Sequence, residues 1–172
     1  MAKYVATIDW SLKPGEDFVA GRYSRLHSIA FDGGITIPAS SSPSVVPLPW
    51  SSAEAVDPEE MLVAALSNCH MLTFLHKARE AGFVVTAYRD EAEGVMRKTA
   101  EGKFAVTKVT LRPDIAFDGP TPDAHQLKAL HHAAHEDCFI ASSVKTEVSW
   151  RRRRPSPDDP PASHRVNHLE KR

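Results

Sequence analysis

Only two cysteines, Cys69 and Cys138, occur among 172 residues, too few for a disulfide framework to stand in for a hydrophobic core. No run of 18 apolar residues exists, which excludes a simple membrane-spanning helix. Net charge is small, -1, but unevenly spread: residues 151–172 hold seven of the 21 Lys+Arg and three of the 22 Asp+Glu, a tail of +4 on a body of -5. A body of that sign does not attract phosphate backbones or anionic bilayers at long range, so neither nucleic acid nor membrane is an expected partner. Residues 1–10 mix Lys3 and Asp9 into an alternating pattern, unlike the unbroken apolar stretch of a secretory leader. The expected compartment is the reducing cytoplasm. There a lone cysteine pair is either redox-active or two small buried hydrophobes.

What is present, 42% hydrophobic and 25% charged side chains, suits one globular domain over residues 1–150 and excludes collagen, coiled coil and full disorder. Tyr4, Ala6, Ile8 and Trp10 alternate with polar or smaller neighbours as an opening strand. Residues 27–31 and 35–37 flank Asp32-Gly33-Gly34 as a hairpin. Four prolines and six serines over residues 38–52 predict a wrapping loop. Asp57-Pro58-Glu59-Glu60 starts a helix that runs to about Ala81 and stops at Gly82. No charge interrupts it from Met61 to Leu75, so it is expected to be buried, centrally or at a subunit interface. Residues 84–96 and 104–117 read as two strands extending the sheet. Thr121-Pro122 launches a second helix to about Asp137, and residues 145–150 form a last strand. The order predicts an α+β domain on antiparallel sheet. The proline-rich, basic residues 151–172 are expected to be disordered.

Val56-Asp57-Pro58-Glu59-Glu60, running through Ala64-Ala65 to Ser67-Asn68-Cys69, resembles the central helix of the OsmC and organic hydroperoxide resistance family. Ala134-His135-Glu136-Asp137-Cys138 is similar to that family's second-cysteine segment, and Ser143-Val144-Lys145-Thr146-Glu147-Val148 to its closing strand. The resemblance spans roughly residues 20–150. It implies an intertwined homodimer with a long central helix, acting as a thiol peroxidase on organic hydroperoxides, without a bound cofactor and reset by an external dithiol or lipoyl-type reductant. By position Cys69 is then the peroxidatic cysteine and Cys138 the resolving one. A thiolate would attack the peroxide, become a sulfenic acid and be rescued as a disulfide. The alternative is a non-enzymatic member that keeps the fold as a small-molecule or thiol-binding stress protein.

A thiolate in apolar surroundings needs a cation beside it. The family's arginine falls on Arg25 or Arg22, in Gly21-Arg22-Tyr23-Ser24-Arg25, with Arg25 preferred by its spacing from Asp32; the position used by another branch, just before the Pro-Glu motif, holds no arginine here. The family's glutamate, which holds that arginine, falls on Glu59. Ten helical residues rise about 15 Å, so a link from Glu59 to Cys69 would have to run across a two-fold axis or through a bridging side chain. Phe139 and Ile140 follow Cys138 where one branch has Pro-Tyr. His131 and His135, at i and i+4, lack a second ligand-bearing segment, so no metal is expected. His70, next to Cys69, is turned about 100° from it. Trp50, Phe18, Tyr23 and Phe139 are candidates for an apolar mouth.

Overall fold

The opening alternation becomes β1 (Ala6–Asp9), which pairs antiparallel with β2 (His27–Phe31); β2 in turn pairs with β3 (Thr36–Ala39). The glycine turn closes that hairpin as read: Gly34 takes φ 86°, and the Phe31 N–H donates to Ile35 O at 2.9 Å. The proline- and serine-rich loop is pinned by fully buried Ser40, whose N–H donates to Val56 O (3.1 Å) and whose hydroxyl accepts from Ser52 N–H (3.0 Å). The computed structural model describes residues 1–151, and its chain divides into two compact units, one of Met1–Leu62 and one from Val63 onward. The expectation for the basic tail falls, Arg151 apart, outside the described residues.

Helix α1 (Pro58–Glu80) starts where its signals predict. Glu60 N–H donates to the Asp57 carboxylate at 2.7 Å, and Asp57 N–H to the Glu60 carboxylate at 3.1 Å, a reciprocal cap. Gly82, at φ 80°, ends it. Burial all round does not hold within the chain. Leu66, His70, Phe74 and Ala78 form one buried stripe at fourfold spacing, while Ala64, Ala65 and Leu72 stay exposed. A uniformly apolar sequence cannot say which side packs at home.

Each of the two expected long strands is two. Residues 84–96 divide into β4 (Val84–Asp90) and the start of β5 (Glu93–Lys98); residues 104–117 divide into β6 (Phe104–Leu111) and β7 (Pro113–Asp118). Asp90 fixes the corner, its carboxylate accepting from Arg112 N–H and from the Ser67 hydroxyl, both at 2.5 Å. β4 then pairs only with β7, and β5 with β6, so the strands make separate sheets instead of extending one. Helix α2 (Ala124–Glu136) starts later than Thr121-Pro122 suggested. Asp123 is its cap, in a reciprocal bond with Gln126, because a carboxylate followed three residues later by glutamine outcompetes threonine there. Strand β8 (Glu147–Trp150) pairs parallel with β6, against the antiparallel expectation. The chain leaves β6 through β7 and α2, and such a crossover returns it in the same sense. The architecture is α+β as read; among the described residues the parallel pairing is that of β6 with β8 and a single Ala39–Val56 bridge.

The core of the second unit forms where Phe74 and Ala78 of α1 meet Leu130 and Ala134 of α2, over Tyr88 and Ile115 of the β4–β7 pair. On the other sheet Gly94 of β5 admits α1 closely: a Cβ there would lie 2.5 Å from Val63 Cγ2.

Candidate active site

Cys69 precedes His70 of the buried stripe and is half-buried. Its carbonyl accepts from the Thr73 hydroxyl at 2.9 Å. Cys138 follows the C-terminal cap of α2 and is only 1% exposed. A short 3-10 turn at Ala141–Ser143 wraps it: Ala141 N–H donates to Cys138 Sγ at 3.4 Å, and Ser142 N–H and hydroxyl both donate to Cys138 O. The structure brings the two cysteine side chains near enough to influence each other's ionisation, with both sulfurs free. Burial first, and then the Cys69 side chain, pushes the Cys138 thiol above its ordinary range, partly offset by the Ala141 N–H. Cys138 therefore keeps its proton at neutral pH.

Two polar links hold the helices that carry the pair. Lys77 Nζ lies 2.6 Å from Asp137 Oδ2, and His70 Nε2 lies 3.0 Å from His131 Nδ1. Sequence reasoning missed Lys77 and Asp137. Their only signal was placement, two turns past Cys69 and one residue before Cys138. His70 bonds to the α2 histidine, and among the described residues no group of three or more His, Cys, Asp or Glu side chains has a metal-holding arrangement.

In the first unit Arg25 Nη1 donates to Gly21 O (2.8 Å) and Tyr23 O (2.5 Å), and the guanidinium carbon sits 3.7 Å from the Tyr23 ring centre. Its backbone N–H donates to Trp50 O. Tyr23 stacks on Phe18 at 4.6 Å, with Trp10 edge-on at 5.5 Å. Arg22 instead pairs with Asp17 at 2.6 Å on the exposed surface. Glu59 is half-buried in the first turn of α1, and among the described residues neither it nor Arg25 is in an ion pair. Phe139 is 82% exposed beside Cys138. No helix among the described residues is long and apolar enough to cross a membrane.

A family model described as OsmC-like protein matches residues 51–151. Peroxiredoxin OsmC of Escherichia coli is 28% identical over 100 residues, 58% of this chain and 68% of that protein. A solved OsmC-like protein of unknown function from Vibrio cholerae is 49% identical, with a TM-score of 0.85 over 88% of this chain and 99% of that one. An organic hydroperoxide resistance protein from Elizabethkingia anophelis, 14% identical, shares the fold at a TM-score of 0.64, over 88% of this chain and 97% of that one.

Proposed function

Because the chain belongs to the OsmC-like protein family, we propose that it is a thiol-dependent peroxidase that reduces organic hydroperoxides to alcohols. The observation that carries this reading is the proximity of half-buried Cys69 to buried Cys138, near enough to raise the Cys138 pKa. The more accessible sulfur meets the peroxide. Its thiolate attacks the distal oxygen, the O–O bond breaks, and the alkoxide leaves to take a proton as the alcohol, leaving Cys69 as a sulfenic acid. Cys138 attacks that sulfur, water departs, and a 69–138 disulfide forms without a search through space. A small external dithiol or lipoyl-type reductant then exchanges with the disulfide and returns two thiols.

Arg25 is the guanidinium assigned to stabilise the Cys69 thiolate, since Asp17 already engages Arg22. Glu59 is assigned to orient that arginine. The uncovered Ala64, Ala65 and Leu72 of α1 fit a second copy of the chain, and the working form is a homodimer in the cytoplasm.

Treating reduced protein with one equivalent of cumene hydroperoxide tests the reading. The product loses about two mass units through the 69–138 disulfide, and Cys69→Ser abolishes both that loss and peroxide consumption. Arg25→Ala slows consumption by roughly 10–100-fold, whereas Arg22→Ala leaves it within about twofold. Protein that stays unmodified at that dose is instead a non-enzymatic binding member of the family.

A further inference from the structure

Away from the two sulfurs, a cavity of about 180 Å³ opens between α2 and β8. Lys128, His131 and His135 recur along one face of α2 and line it; Leu111 and the Trp150 ring supply apolar wall, and no carboxylate is among its lining residues. Among the described residues Lys128 is in no ion pair. His70 and His131 are 2% and 1% exposed, and the His131 ring stacks on Trp150 at 4.1 Å.

The proton between the two imidazoles is assigned by what is left unpaired. His70 Nδ1 is buried without a partner. An orphaned buried N–H is rarer and costlier than a bare ring nitrogen, so His70 donates from Nε2 and leaves Nδ1 bare. His131, accepting at Nδ1, then carries its own proton on Nε2 as a donor. Burial depresses both pKa values, to about 4 for His70 and about 3 for His131, so that donor is a neutral imidazole. Ser149 Oγ is a further buried, unpartnered polar atom on a residue of the cavity wall.

The geometry points to a binding site for a small monocarboxylate with a flat apolar body. Lys128 at the rim meets the charge, the His131 donor bonds a carboxylate oxygen, and the body lies against Trp150 and Leu111. One lysine beside the neutral His131 imidazole matches a single negative charge, which selects a carboxylate over a phosphate dianion.

Benzoate is the probe, titrated calorimetrically into the reduced full chain at neutral pH. Saturable binding is expected, with benzamide and inorganic phosphate each roughly tenfold weaker. Lys128→Met, at an exposed helix position, lowers benzoate affinity roughly fivefold, and Lys128→Arg retains it. Ser149→Ala, which removes a hydroxyl buried out of the cavity, leaves it within about twofold, and Lys128→Met consumes peroxide at the parent rate. Equal binding of benzamide, tighter binding of phosphate, unchanged affinity in Lys128→Met, or no saturation by about 10 mM benzoate overturns the assignment. None of these outcomes bears on the disulfide assay.

Discussion

Lys77 Nζ meets the Asp137 carboxylate at 2.6 Å, directly before the buried Cys138 in the chain. The hydrogen bond that Lys77 donates to Asp137 raises the pKa of Lys77 above its usual value. A lysine raised in this way contributes its stabilisation throughout the neutral range, and the contribution is lost as pH climbs through the raised value. The link fixes where the resolving sulfur sits. Asp137→Asn or Lys77→Met is expected to slow closure of the 69–138 disulfide by roughly three- to tenfold, with the first oxidation of Cys69 within about twofold. Rapid quenching followed by mass analysis separates the two steps, and equal slowing of both would refute the positioning role.

Cys138 must lose its proton to attack an oxidised Cys69, and burial, the largest cause of its raised pKa, persists after that oxidation. The rate of disulfide closure is therefore expected to climb about tenfold per pH unit through the neutral range and beyond the ordinary thiol value. Stopped-flow tryptophan fluorescence across that range reads it directly. A flat profile would contradict the assignment of Cys138 as the buried, protonated partner.

The His70–His131 pair couples the fold to acid. Both folded values lie below the ordinary 6.5, at about 4 and about 3, from burial first, with His135 adding to His70 and His70 adding to His131. The unfolded chain thus binds more protons below 6.5. Stability is full above that pH and falls as pH drops toward the folded values, by about 1.4 kcal/mol per unit for each ring. Urea unfolding from neutral pH down to about pH 4.5 shows this slope, and His131→Phe removes about half of it. Lys128 and His135, which border the same cavity, are retained in that comparison.

Gly94 leaves no room for a methyl group, since a Cβ would fall 2.5 Å from Val63 Cγ2 and 3.3 Å from Val106 Cγ1. Gly94→Ala is expected to destabilise the chain by about 1–3 kcal/mol. Adding Val63→Ala recovers part of that loss in a double-mutant cycle. Strict additivity of the two changes would mean that α1 does not press on β5 at this point.

Much of the local structure was legible because it is written in short-range chemistry. The Asp57–Glu60 cap, the Gly34 hairpin and the Gly82 stop each depend on residues within a few positions. What was not legible required a partner distant in sequence. The corner at Asp90 depends on Arg112 and Ser67, and residues on both sides of it keep strand-like character. The sense of β8 depends on the crossover before it, not on its own pattern. At the site, motif context singled out Cys69 and Cys138, whereas Lys77 and Asp137 resemble ordinary surface charges until the helices dock. The histidines drew notice as possible ligands for a metal, yet His70 and His131 bond to each other.

The nearness of the two reduced thiols has a consequence for signalling. Oxidation can close the sulfur–sulfur bond while the docked helices keep their places, so the two redox states present nearly the same outer surface. A sensor must look different when oxidised in order to inform a partner. This arrangement leaves little for a partner to read, and suits repeated chemical turnover better than the relay of a message.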